Sequence, residues 1–319
     1  KASSNVPFIM PARIAATPGT EQVKEHIGSG PFIFKADEFK PGSLAVYVRN
    51  PKYKSRNEPS SALAGGRQVN FDRVEWVIIR DPQTQFNALK AGEVDMVEQP
   101  AFEQYNTLKQ TAGVKVIDFA PAGLAFIMRF NHLHAPFDNP KIRQAAMLAM
   151  GQQAYIATQV GVPELGRLCR SMYPCGTQYA DENTGYFTGI ANPAKAREML
   201  KEAGYDGTPI LLMRPTDLAS IAKLPLVAKQ QLEAAGFKVD FQQMDWASLL
   251  ARRAKKDAPA QGGWHLFLTA WTAGDISNPL AMAMFNAKGQ NGWFGWQDEP
   301  RIEDLKSKFA RAGSAADKK

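Results

Sequence analysis

Gly262-Gly263-Trp264-His265-Leu266-Phe267-Leu268-Thr269-Ala270-Trp271-Thr272-Ala273-Gly274-Asp275-Ile276-Ser277-Asn278-Pro279 is the stretch whose reading decides the fold. Leu266 to Ala270 is a short apolar run entered through two glycines, the pattern of a buried strand. At its carboxyl end stand Trp271, a flexible Ala273-Gly274 pair and one carboxylate, Asp275. Open α/β sheets bind ligands in the crevice beyond the carboxyl ends of their strands, so a pocket is expected here. Indole rings supply contact area and cation–π attraction, and a carboxylate supplies a charge-assisted hydrogen bond. Together they suit a solute that carries an amine and an apolar group. Four of the six tryptophans (Trp264, Trp271, Trp293 and Trp296) crowd this neighbourhood. Two readings stay open: a ligand wall, or plain packing in which Asp275 caps a turn.

The segments before this stretch alternate. Pro209 to Met213 is an apolar strand, and a helix expected from about Leu218, bent at Pro225, stops at Gly236. Lys238 to Met244 is the next strand, and Asp245 caps a further helix. Strand, helix, strand, helix, strand is the order of a parallel α/β sheet with right-handed crossovers. The strand ending at Met213 delivers Arg214-Pro215-Thr216-Asp217 to the same edge as Asp275. Opposite charges there would complement a zwitterion, whose ends need opposite partners once desolvated. Arg214 can equally be a surface arginine or pair with Asp217.

Nearer the start, Pro31 to Lys35 and Leu44 to Asn50 read as a hairpin. A βαβ unit is expected next: Arg73 to Arg80 as strand, Asp81-Pro82 opening a helix that Gly92 stops, and Val94 to Val97 as strand. The glycines at 28 and 30 are no phosphate loop, because Pro31 removes an amide donor and no Gly-Lys-Ser/Thr follows.

The chain has 319 residues, 45% hydrophobic and 22% charged, ordinary for about two globular domains. No run approaches the roughly 18 apolar residues of a membrane helix, and any export signal is expected to lie outside this stretch. The net charge of +7 is scattered, and the densest basic run, Arg252 to Lys256, reads as a solvated helix end rather than a nucleic-acid patch. Cys169 and Cys175 have no histidine nearby with which to make a zinc site. A local disulfide closing the turn at Pro174-Cys175-Gly176, in an oxidising compartment, is the favoured reading, with two buried free thiols as the alternative. His132 and His134 would share a face on a strand, but beside Ala135-Pro136 an exposed turn is expected. No nucleophile elbow, zinc-protease helix or cofactor motif is present.

Several motifs occur in a telling order: Gly28-Ser-Gly-Pro-Phe32, Arg49-Asn-Pro-Lys-Tyr53, Ala88-Leu-Lys-Ala-Gly-Glu-Val-Asp95, Arg129-Phe-Asn131, Pro136-Phe-Asp-Asn139, Ala203-Gly-Tyr205 and Met244-Asp-Trp246. In that order they resemble the extracytoplasmic solute-binding proteins of the peptide/nickel class of ABC importers, family 5 of the bacterial solute-binding proteins, from Gly28 to about Ala310. The resemblance implies an α/β, two-lobed periplasmic-binding-protein-like fold of the class with large lobes. It places a partial lobe one at 1–123 and lobe two at 124–319, with Leu124 to Phe130 as the crossing strand and the return to lobe one outside the chain. Lobe one would then be incomplete and lobe two the better packed. The resemblance also implies a receptor, not an enzyme, that captures a small peptide or peptide-like solute and delivers it to a membrane permease outside the cytoplasm. Asp275 would hold the amino terminus of the solute and Arg214 its carboxylate, with Trp271, Trp264 and Trp293 as wall; no cofactor, metal or nucleic acid is called for. A nickel or metal-chelate receptor and, more remotely, an α/β hydrolase are the alternatives.

Overall fold

A computed structural model describes residues 9–17, 23, 25–60, 65–119, 122–185 and 187–318. After a short helix α1 (Ala12–Ala15), strands β1 (Phe32–Phe34), β2 (Leu44–Arg49) and β3 (Arg73–Val77) form an antiparallel sheet in that order. Helix α2 (Pro82–Ala91) follows, capped by Asp81, whose carboxylate accepts the Thr84 amide at 2.7 Å. The hairpin is therefore as expected, but the βαβ unit is not. Gly92 ends α2 in the left-handed region, and the amides of Glu93 and Val94 both turn back onto the Ala88 carbonyl. Those donors are spent on the helix end, and residues 94–97 make no strand.

Helices α3 (Tyr105–Gln110), α4 (Pro140–Ala149), α5 (Gln152–Tyr155), α6 (Pro193–Glu202), α7 (Leu224–Ala234), α8 (Trp246–Arg253) and α9 (Pro300–Arg311) belong to the same larger unit as a second sheet. Its strands β4 (Leu124–Phe130), β5 (Ile210–Pro215), β6 (Val239–Met244) and β7 (Leu266–Thr272) lie in the order β4-β7-β5-β6. As the alternation predicts, β5 is parallel to both β6 and β7; β4 pairs antiparallel along the whole of β7. Asn139, Asn192 and Asp245 cap α4, α6 and α8 through their side chains, each worth about 1 kcal/mol. Pro225 does not bend a long helix. It stands in the first turn of α7, where a missing amide hydrogen costs nothing, and residues 219–223 are turns.

Strand alternation sends the two faces of this sheet to different neighbours. Phe126, Met128 and Phe130 of β4, with Leu266 and Leu268 of β7 and Ile210 and Leu212 of β5, pack against α4, α6 and α7. Leu211, Met213, Phe267 and Trp264 pack instead against Leu249 of α8 and the aromatic run Trp293 to Trp296. By packing, the described chain divides between Asp95 and Met96. Residues 96–119 and 122–123 thus pack with the larger unit, and a lobe border at 123/124 is retained as a proposal. In the smaller unit Phe71, Trp76, Val77 and Ile78 are exposed.

His265 shows how tightly the larger unit is specified. Its Nδ1 accepts the Leu211 amide at 2.8 Å, so Nε2 carries the proton and donates to the Ala135 carbonyl at 2.9 Å. Burial pushes this imidazole's pKa down, and burial, with the nearby Arg143 and Arg129 charges, pushes that of His132 to about 3. Both rings stay neutral in the fold, whereas in the unfolded chain they take up a proton below about pH 6.5. Stability is therefore complete above that pH and falls as the pH drops towards the folded values. Urea unfolding at pH 5 should show about 2 kcal/mol less stability than at pH 7.5 from His132 alone, and His132→Gln should flatten that slope.

Candidate functional site at the carboxyl edge of the sheet

Strand β7 runs past its last paired neighbour on β5 at Phe267 and carries Trp271 and Thr272 beyond it. A turn follows in which the Asp275 amide donates to the Thr272 carbonyl at 3.1 Å. The Thr272 hydroxyl donates to Asp275 Oδ2 at 2.6 Å. Asp275 thus does stabilise a turn, yet it is half-buried and no cation pairs with it among the described residues.

The tryptophans divide. Trp271 and Trp293 are half-buried and meet edge to face at 5.9 Å between centroids, leaning on the buried trio Ile276, Met282 and Met284. Trp264 is fully buried, its indole N–H donating to the Arg253 carbonyl at 3.0 Å and its ring against Phe267 and Trp296. It is a core residue beneath the wall rather than part of its surface. Arg214 is half-buried near the end of β5, donating through Nε to the Ala222 carbonyl at 3.0 Å and through Nη1 to Gln243 Oε1 at 2.5 Å. It does not pair with Asp217, whose carboxylate accepts the Trp246 amide at 2.7 Å. The β5–β7 register puts Arg214 level with Leu268, four residues short of the end of β7, or roughly 13 Å along the strand direction. Trp271 and Asp275 lie four residues apart on the end of β7 and its exit turn; Arg214 stands apart on the same edge.

One organising residue escaped the reading of the sequence. Arg129 points from β4 to the Trp293 side of the sheet and is 7% exposed. Its Nε donates to the Phe294 carbonyl at 2.6 Å, and its Nη1 to the Met284 carbonyl at 3.3 Å and Gln297 Oε1 at 3.2 Å. The guanidinium lies 5.1 Å from the Trp293 ring centroid. With no carboxylate beside it, burial lowers its pKa to about 10. The signal was an arginine inside the otherwise apolar Leu124 to Phe130.

Cys169 and Cys175 form a disulfide, Cα–Cα 5.7 Å. His132 and His134 do lie in a turn, but half-buried rather than exposed, and a His134 ring nitrogen contacts the Lys256 carbonyl at 2.8 Å. Among the described residues no three His, Cys, Asp or Glu side chains converge as metal ligands, and no helix is long and apolar enough to cross a membrane.

The chain belongs to the bacterial extracellular solute-binding proteins of family 5, matching the part described as "family 5 Middle" over residues 2–293. It is 36% identical over 308 residues to the probable peptide ABC transporter periplasmic-binding protein y4tO of Sinorhizobium fredii, covering 95% of this chain and 58% of that one. It is 31% identical over 207 residues to the glutathione-binding protein GsiB of Pectobacterium atrosepticum, covering 64% of this chain and 38% of the relative. The chain thus spans about half the length, or less, of these relatives. Among solved structures, DppA of Helicobacter pylori in complex with the peptide STSA superposes with a TM-score of 0.73 at 21% identity, covering 91% of this chain and 53% of that one. AgaA of A. tumefaciens R10 in complex with agropinic acid superposes with a TM-score of 0.72 at 22% identity, covering 96% and 58%. The fold is α/β, that of the two-lobed periplasmic binding proteins.

Proposed function

We propose that this chain is the solute-gripping portion of an ABC-importer receptor, which captures a small peptide or peptide-like solute between two lobes and delivers it to the membrane permease. The observation that carries the reading is the half-buried Asp275 carboxylate in the exit turn of β7, which has no ion pair among the described residues, on the same strand end that carries Trp271 against Trp293. A buried carboxylate is stabilised by a cation that arrives with its own hydrogen bonds, and a peptide ammonium fits. Arg214 keeps Nη2 for the far carboxylate, since its bonds to Ala222 and Gln243 use Nε and Nη1. The protein performs no chemistry on the solute. It works outside the cytoplasm, where the Cys169–Cys175 disulfide is stable, and the name of the periplasmic-binding protein y4tO points the same way.

The test is a thermal-shift screen of the full-length protein with dipeptides, glutathione, free amino acids and nickel chloride. A bound peptide at a hundredfold excess over its dissociation constant should add about 2.7 kcal/mol of stability. Stabilisation by nickel alone, with every peptide inert, would replace this reading by a metal receptor.

A further inference from the structure

We propose that Tyr173, held inside the ring closed by the Cys169–Cys175 disulfide, is a positioning residue for the Asp275 loop, so that the site is fully formed only while the disulfide is closed. The consequence for affinity rests on the peptide-receptor reading; the consequence for the loop does not.

Between Leu165 and Pro193 the described residues form no helix or strand. Irregular segments of that length inside a folded domain are usually functional. This one is held at its start by Gln152, whose Oε1 accepts the Cys169 amide at 3.1 Å and whose Nε2 donates to the Cys169 carbonyl. Arg167 donates to the Cys175 carbonyl at 2.7 Å, and Ser171 Oγ accepts the amides of Tyr173 and Asp181 at 3.2 and 2.9 Å. All these bonds and the disulfide converge on one seven-residue ring.

Tyr173 is the side chain that this ring delivers to the site. It packs against the buried trio Ile276, Met282 and Met284, the same trio on which Trp271 and Trp293 lean, and meets Phe285 edge to face at 5.7 Å. Tyr179 links Tyr173, at 6.1 Å, to Phe309 of α9, at 5.2 Å. Residues 273–282 contain no helix or strand of their own. Burial of Ile276, the residue next to Asp275, therefore anchors the loop beyond the hydrogen bonds that tie Asp275 to Thr272. One side of that burial is supplied by β4 and β7 through Ala125, Ile127 and Trp271, and another by Tyr173. Opening the ring releases the chain entropy it removes and frees Tyr173 to leave the trio.

The full-length protein is compared with Tyr173→Phe, Tyr173→Ala and the double variant Cys169→Ser/Cys175→Ser, with Leu232→Ala in the α7 core as a control for lost stability alone. Hydrogen exchange of residues 273–282 is read without any solute, and affinity for the dipeptide Met-Leu and for glutathione is read by calorimetry. Tyr173→Ala and the double variant should each lose at least tenfold protection across 273–282 and weaken the better probe by about tenfold. Tyr173→Phe, which keeps the ring contacts, should stay within twofold of the parent, and Leu232→Ala should lower thermal stability without changing the affinity. Unchanged protection of 273–282 in Tyr173→Ala or in the double variant overturns the proposal whether or not a peptide binds. Loss of protection in these variants, with a parent protein that binds neither probe, would uphold the positioning role and sink the peptide reading instead.

Discussion

Asp275→Ala is expected to weaken binding of an amine-bearing solute at least about thirtyfold, equivalent to 2 kcal/mol or more, while leaving the protein folded. Removing one partner of a desolvated, hydrogen-bonded charge pair costs about 2–5 kcal/mol, because the other charge stays buried alone. The loss within the protein is small, since Asp275 gives the fold a single side-chain hydrogen bond, from Thr272. Asp275→Asn separates the two roles. An amide oxygen can still accept from Thr272, so the turn survives, but the charge is gone. Calorimetry with Met-Leu should find the asparagine variant nearly as deficient as the alanine one. An asparagine variant with full affinity would reduce Asp275 to a turn residue.

The second large effect is on stability. Arg129→Met should destabilise the larger unit by about 3 kcal/mol, read as a lower urea midpoint with an unchanged slope. Burying an unpaired guanidinium is costly, and the fall of its pKa from 12.5 to about 10 puts that penalty at about 3 kcal/mol. Against it stand three hydrogen bonds from a charged donor, at about 1.5–3 kcal/mol each, and the attraction to Trp293. The bonds outweigh the penalty, and methionine would strand the Phe294 carbonyl. Gly295 belongs to the same arrangement: at φ +100°, a Cβ there would lie 2.5 Å from Arg129 Nε and 2.5 Å from the Phe130 carbonyl oxygen. Gly295→Ala should therefore be at least as damaging as Arg129→Met. A midpoint within error of the parent for both would show that this contact carries no weight.

The regular parts of the fold were legible where periodicity and punctuation agree. Asn139-Pro140, Asn192-Pro193 and Asp245 open helices, and the apolar runs at 210–213 and 266–270 are strands of one parallel set. Pro225 misled because proline reads alike as a bend and as a helix start, and only the turns at 219–223 decide between them. Val94 to Val97 has strand-like residues, but its first amide, like that of Glu93 before it, is drawn back to Ala88 by a helix end that a strand pattern does not register. At the site, Trp271 and Asp275 follow directly from a strand and its exit turn. Trp264 and Trp293 differ only in depth, which composition cannot report. Arg129 and Tyr173 act on residues more than a hundred positions away, so the arginine inside an apolar strand hints at a partner without naming it, and nothing local announces Tyr173.

The two faces of the four-stranded sheet have a consequence for how such a receptor can diversify. One face is sealed by three regular helices, while the other holds a long irregular excursion through a few anchors, among them Arg129, Gly295 and Tyr173. Sequence drift between those anchors can reshape the carboxyl edge of the sheet without disturbing the helical layer, so new cargo can be acquired on an inherited chassis. What natural variation must spare is the handful of pins and the buried trio, and a library that randomises residues 277–278 and 288–291 while keeping them should yield folded proteins with altered preferences.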